Sequence, residues 1–176
     1  MKLEEGSITV IVSEQCPYYN ADPVRARFFA SNNLALPADR FHAIGGFETA
    51  FPLAAGEDRE FCARWLDRGY RMTYAPEVVV HHAHTLTFRR FWRQQCNYGR
   101  GAFRFRRGYA RREDGDGRRE PASFYLNLLR YPFSMTRGWR AWSLAMLMGV
   151  SQGAIVAGYG EAWCNARRAG EAEAMA

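Results

Sequence analysis

Three groups of residues in this 176-residue chain have types and spacings that can do chemistry. The first is Glu57-Asp58, which follows Ala54-Ala55-Gly56 and opens a segment of helical periodicity. A carboxylate there stays ionised near the positive end of a helix dipole and can accept a proton, while the loop before it leaves room for a ligand. The position equally suits a carboxylate that only caps or charges the helix. The second group is His81, His82 and His84, three of the four histidines, at the end of the run Val78-Val79-Val80. On a strand His82 and His84 share one face; neutral imidazoles there suit a divalent metal or a phosphate, or are surface histidines. The third is Gln94-Gln95-Cys96-Asn97-Tyr98-Gly99-Arg100-Gly101, read as one end of a helix with a basic face. Its amides and Arg100 can hold sugar hydroxyls and a diphosphate, and its glycines permit close backbone approach.

The elements that must position these groups follow from periodicity. Ile8–Val12 reads as a strand and residues 28–36 as a short buried strand. Pro37 opens a short helix, with Asp39 complementing its dipole and Gly45-Gly46 ending it. Phe61, Cys62, Trp65 and Leu66 form one apolar stripe, which predicts a helix from Glu57 to Arg68 with Gly69 just past its end. Tyr70–Tyr74 and Glu77–His82 read as strands separated by Ala75-Pro76. Thr85 or Thr87 caps the next helix, whose Phe88, Phe91, Trp92, Gln95 and Cys96 mark one side. The run 111–121 holds charges and glycine with no apolar side chain and reads as a linker. Ser123–Tyr131 is helical up to Pro132, and Ala141–Gly160 is a twenty-residue uncharged stretch with a Gly149/Gly153 small-residue spacing. Glycine, serine and glutamine within that stretch, and arginines at both ends, favour a helix lying in a membrane interface or packed on protein over a true span.

Charge narrows the partners. There are 24 Lys+Arg against 18 Asp+Glu, and every basic residue except Lys2 is arginine. Between Arg89 and Arg119 eleven arginines face only Glu113, Asp114 and Asp116, a belt suited to phosphates, anionic lipid or nucleic acid. Phe103, Phe105 and Tyr109 could stack bases, but no nucleic-acid-binding module accompanies them, so nucleic acid is the least favoured partner. Cys16, Cys62, Cys96 and Cys164 are widely spaced, which argues against a disulfide framework or structural zinc and for a reducing compartment. The N-terminus lacks the basic and apolar regions of a secretory signal.

In order and spacing these pieces resemble the C-terminal half of the catalytic domain of family-2 glycosyltransferases. The matching residues are Phe29–Leu36, Ile44-Gly45-Gly46-Phe47-Glu48, Gly56-Glu57-Asp58 through Trp65, Gly69-Tyr70-Arg71, Tyr74-Ala75-Pro76, Val80-His81-His82 and Arg93–Gly101. The resemblance implies an α/β, partial GT-A (Rossmann-like) fold followed by C-terminal hydrophobic helices. It implies inverting transfer of a sugar from a nucleotide-diphosphate donor to an acceptor hydroxyl. Asp58 would be the general base, oriented by Glu57, with Asn33, Gly45, Gly46 and Phe47 on the acceptor side. Gln94, Asn97, Tyr98 and Arg100 would meet the donor diphosphate, and His82 or His84 would help hold Mg²⁺ or Mn²⁺. Asn97 and Tyr98 stand where processive members of the family have Arg and Trp, which argues against polymer synthesis.

The family's nucleotide-binding half, with its Asp-x-Asp metal motif, precedes the region that starts at Phe28, and 27 residues stand before it here. The sequence therefore reads as an acceptor half (1–110), a charged linker (111–121) and a hydrophobic helical region (122–170): a truncated piece of a longer enzyme, a split enzyme with its donor-binding half on a separate chain, or a degenerate relative. The expected setting is cytoplasmic, at the inner face of a membrane if the hydrophobic region lies on it. The competing reading is a non-catalytic module that docks on anionic lipid or a protein partner through the arginine belt.

Overall fold

The β-branched segment near the N-terminus forms strand β1, Ser7–Val12, at the centre of a three-stranded sheet. A computed structural model of the chain describes residues 7–12, 25–51, 55–79, 87–109 and 122–174. They belong to two compact units, Met1–Thr85 and Leu86–Ala176. The division falls at Thr85/Leu86, whereas the sequence places its boundary after residue 110.

In the first unit β1 pairs antiparallel with β2, Leu34–Ala35, and parallel with β3, Arg71–Val79. Residues 28–36 are thus not one strand. A 3-10 turn, Ser31–Asn33, takes up the whole polar Ser31-Asn32-Asn33 run, because short polar side chains favour turns over strand interiors. The two strands expected around Ala75-Pro76 are one. The β1/β3 register shifts there, so that Val12 pairs with Val79 rather than with Pro76, which has no N–H to give the ladder. This is a mixed sheet with helices, α/β in class; it does not by itself define the GT-A architecture that the resemblance implies.

Two helices cover this sheet's core. Helix α1, Ala38–Ile44, starts after Pro37 and ends at Gly45 as its sequence predicts. Helix α2, Glu57–Asp67, buries Phe61, Cys62, Ala63 and Trp65. Leu66, expected in the same stripe, lies on its edge and is exposed. The helix closes with paired bonds from Gly69 N–H to Leu66 O and from Tyr70 N–H to Trp65 O, a Schellman ending. Trp65, Phe29, Phe61, Met72 and Cys62 are fully buried together, and burial of each large apolar side chain contributes about 1.5–3 kcal/mol. The indole N–H of Trp65 is satisfied by Arg71 O at 3.0 Å.

The second unit is helical: α3, Phe88–Tyr109; α4, Ala122–Met135; and α5, Trp139–Ala174. Thr87 caps α3, its Oγ1 accepting from Arg90 N–H at 3.3 Å. Helix α3 runs straight through Gly99-Arg100-Gly101, where the sequence suggested an end. Gly99 marks a crossing with α5: a Cβ there would collide with the Ile155 carbonyl oxygen, and one on Gly158 with the Cys96 carbonyl oxygen. Only glycine lets the two backbones approach so closely. Pro132 lies inside α4 rather than ending it, and α5 continues well past Gly160.

Candidate active site

Asp58 sits in the first turn of α2, whose N-cap is Gly56 in the left-handed conformation with no side-chain cap. It is therefore not the capping residue. Its Oδ1 accepts from Arg59 N–H at 2.7 Å, and its carboxylate also accepts from the backbone N–H of Ser31. Burial nevertheless outweighs these bonds and holds its pKa above the ordinary aspartate value. Such a carboxylate is a stronger proton acceptor than one in water, and backbone donors keep it oriented.

Glu57 folds back on the helix start, accepting from its own N–H and from that of Ala55. Its pKa is raised by burial and further by the neighbouring Asp58 charge. Oε2 of Glu57 is buried with no hydrogen-bond partner among the described residues, and so is Nδ2 of Asn33, a residue only 6% exposed. An orphaned acceptor beside Asp58 and an orphaned donor on the turn that binds Asp58 are costly unless something completes them.

The turn that carries Ser31 and Asn33 is held against α2 at three points. The Phe28 ring lies under the Arg59 guanidinium at 4.9 Å, Cys62 Sγ donates to Phe29 O at 3.6 Å, and Ser31 N–H reaches Asp58. The register Thr9↔Ala35 and Val10↔Leu34 puts Asn33 beyond Leu34 toward the C-terminal end of β1. Since β1 and β3 are parallel, this places the group at the carboxyl ends of the parallel strands, where open α/β sheets bind their ligands.

Gly45, Gly46 and Phe47 join the same unit through α2. Phe47 packs on Phe61 with ring centroids 5.0 Å apart and on Phe41 at 5.6 Å. Arg64, on α2, ties the loop down. It donates to Ile44 O at 2.9 Å and to Gly46 O at 2.7 Å while its other edge grips Glu60 at 2.7–2.8 Å. The Glu60/Arg64 spacing of four was the available signal for part of this network.

The remaining predicted residues belong to other elements or lie outside the described residues. Gln94, Asn97, Tyr98 and Arg100 are on α3 in the second unit: Gln94 donates to Tyr98 Oη at 3.0 Å, and Arg100 bridges Asn97 at 2.5 Å and Glu161 of α5 at 2.6 Å. His82 and His84 lie outside the described residues. Among the described residues no group of three or more His, Cys, Asp or Glu side chains is placed to hold a metal ion.

The described residues thus bring together a partly buried carboxylate with raised pKa, oriented at the carboxyl edge of parallel strands, and unmatched polar groups beside it. Residues 18–159 match the glycosyl transferase family group 2, and the chain belongs to that family. No curated protein and no solved structure matches it.

Proposed function

We propose that the chain takes part in inverting sugar transfer from a nucleotide-diphosphate donor to an acceptor hydroxyl, on a GT-A-type scaffold. Asp58 takes the hydroxyl proton as the acceptor oxygen forms its bond to the anomeric carbon, and the nucleoside diphosphate leaves with the electron pair of the broken bond. Glu57 and Asn33 orient the acceptor, and Gly45, Gly46 and Phe47 form its wall. Gln94, Asn97, Tyr98 and Arg100 are the proposed donor-diphosphate contacts, and a role for Mg²⁺ or Mn²⁺ rests on His82 and His84 alone. The observation that carries the reading is Asp58: a desolvated carboxylate aimed by the N–H groups of Ser31 and Arg59.

The test is a screen of purified full chain against nucleotide sugars and polyol acceptors, alone and with extracts that could supply a partner chain. Transfer should fall with Asp58→Asn. Transfer that persists undiminished in that variant would remove Asp58 from the role of base.

Membrane association is part of the reading because of α5. Trp139–Gly170 is the one helix among the described residues long and apolar enough to cross a membrane by length and composition. Trp139, Trp142, Met146 and Val156 are 66–80% exposed on it, and Arg137, Arg140, Arg167 and Arg168 flank its apolar stretch. An apolar helix face rimmed by arginine suits an anionic bilayer surface. Flotation with anionic vesicles, lost on replacing Trp142 and Met146 by Ser, supports this; flotation unchanged by that pair counts against it.

A further inference from the structure

At the end of the sheet opposite Asp58, the amino end of β3, lies an open cleft of about 510 Å³. Local pairing explains its charge. Ala26 N–H donates to Met72 O at 3.2 Å, so residues 25–27 run beside the start of β3. Ala26 and Met72 both face the core, at 1% and 0% exposure. Alternation along extended chain then sends Arg25 and Arg27, and Arg71 next to Met72, the other way, and all three line the cleft.

The rest of the lining is apolar. Leu66, the stripe residue that α2 leaves exposed, stands with Met72 and Ala26 beside Tyr70. Tyr70 is held rigidly: its ring packs on Trp65 at 4.8 Å, lies under Arg40 at 5.3 Å, and its hydroxyl accepts from Arg40 Nη1 at 3.1 Å. The described residues that line it are these three arginines, Tyr70 and apolar side chains.

We propose that this cleft binds an organic phosphate, the phosphate oxygens on the guanidinium groups of Arg25, Arg27 and Arg71 and the carbon skeleton against Tyr70 and Leu66. Planar guanidinium groups match tetrahedral oxyanions through paired charge-assisted hydrogen bonds. The cavity is the size of small-ligand sites, and a fixed aromatic wall favours an apolar or ring-bearing portion over a bare ion. The site is separate from the proposed transfer chemistry, which uses the other end of the sheet.

The test uses the full chain and phenyl phosphate, followed by ³¹P line broadening and calorimetry, with inorganic phosphate for comparison and phosphatidic-acid vesicles as a second arm. Phenyl phosphate should bind more tightly than inorganic phosphate, and the double variant Arg25→Gln/Arg71→Gln should weaken it about tenfold or more. Neutralising Arg104, Arg106 and Arg107 on α3 should leave it unchanged. The vesicle arm is run in the Trp142→Ser/Met146→Ser background, which removes the vesicle binding proposed for α5. There, loss of vesicle binding on adding Arg25→Gln/Arg71→Gln, together with the loss of phenyl phosphate, assigns the phosphate to a lipid headgroup, and vesicle binding unaffected by those substitutions, or absent before them, with phenyl phosphate lost assigns it to a soluble ligand. Affinity unchanged in the Arg25/Arg71 variant, or lowered equally by the α3 variant, overturns the proposal.

Discussion

Arg64 Nη2 donates to the carbonyl oxygen of Gly46 across 2.7 Å, so the helix that carries Asp58 also fixes the loop proposed to receive the acceptor. One guanidinium serves three acceptors, since Ile44 O and the Glu60 carboxylate complete its shell. At 19% exposure for the Arg64 side chain and 12% for Glu60, these bonds are shielded from solvent.

Arg64→Ala should therefore cost about 2–3 kcal/mol, the range for lost hydrogen bonds to a charged group that leave partners unpaired. Denaturant unfolding measures the loss. Amide exchange should quicken at residues 44–47, and where transfer can be assayed the acceptor KM should rise more than kcat falls. Arg64→Lys should restore little, because a single ammonium cannot reproduce the planar fork.

Asp58→Asn should lower the transfer rate by about 10²- to 10⁴-fold, the usual contribution of a positioned base. The acid limb of the rate profile should lie above the ordinary aspartate range, because burial holds the Asp58 pKa up. A limb at the ordinary value, or a limb unchanged in Asp58→Glu, would count against its assignment.

Glu57 adds a stability signature. Its pKa is raised on folding, so the folded chain binds the proton more tightly than the unfolded chain. The resulting stabilisation is fully present below the unfolded value near 4.5 and is lost as pH rises through the raised folded value. Glu57→Gln removes that loss. The variant's Tm should match the parent's in acid and exceed it at neutral pH, and a Tm scan at several pH values reads the difference.

The helix crossing in the second unit separates two kinds of glycine. Gly99→Ala or Gly158→Ala should destabilise by about 1–3 kcal/mol, as overpacking does, because the new methyl meets backbone. Gly149→Ala and Gly153→Ala meet nothing within 4 Å and should instead stabilise the helix by up to about 1 kcal/mol. Thermal unfolding of the four variants decides this.

Much of the local structure around the candidate site was legible in sequence. Glu57-Asp58 opening a helix after Gly56, and Gly45-Gly46 ending another, follow from local rules that need only a few neighbouring residues. The family followed from ordered motifs. What failed was decided at longer range. The Gly149/Gly153 spacing drew attention as a small-residue contact, yet it faces open space, while Gly99, read as a helix end, is a contact. Spacing along one helix does not say which face its neighbour takes. Pro76 read as a break because a proline interrupts a ladder, and the structure absorbs it in a register shift.

By itself the sequence determined the carboxylate pair, the elements that present it and the arginine-rich, apolar character of the second unit, because these depend on residue type and local periodicity. Only the tertiary structure decided what each charged group faces. Ser31 reaches Asp58 with a backbone N–H, a group every residue but proline carries and no sequence distinguishes. Arg25, Arg27 and Arg71 gather in one cleft because Ala26 and Met72, 46 positions apart, turn inward together. Burial raises the pKa of both carboxylates and pairing between distant segments gathers the arginines, and neither is a property of any local stretch of chain.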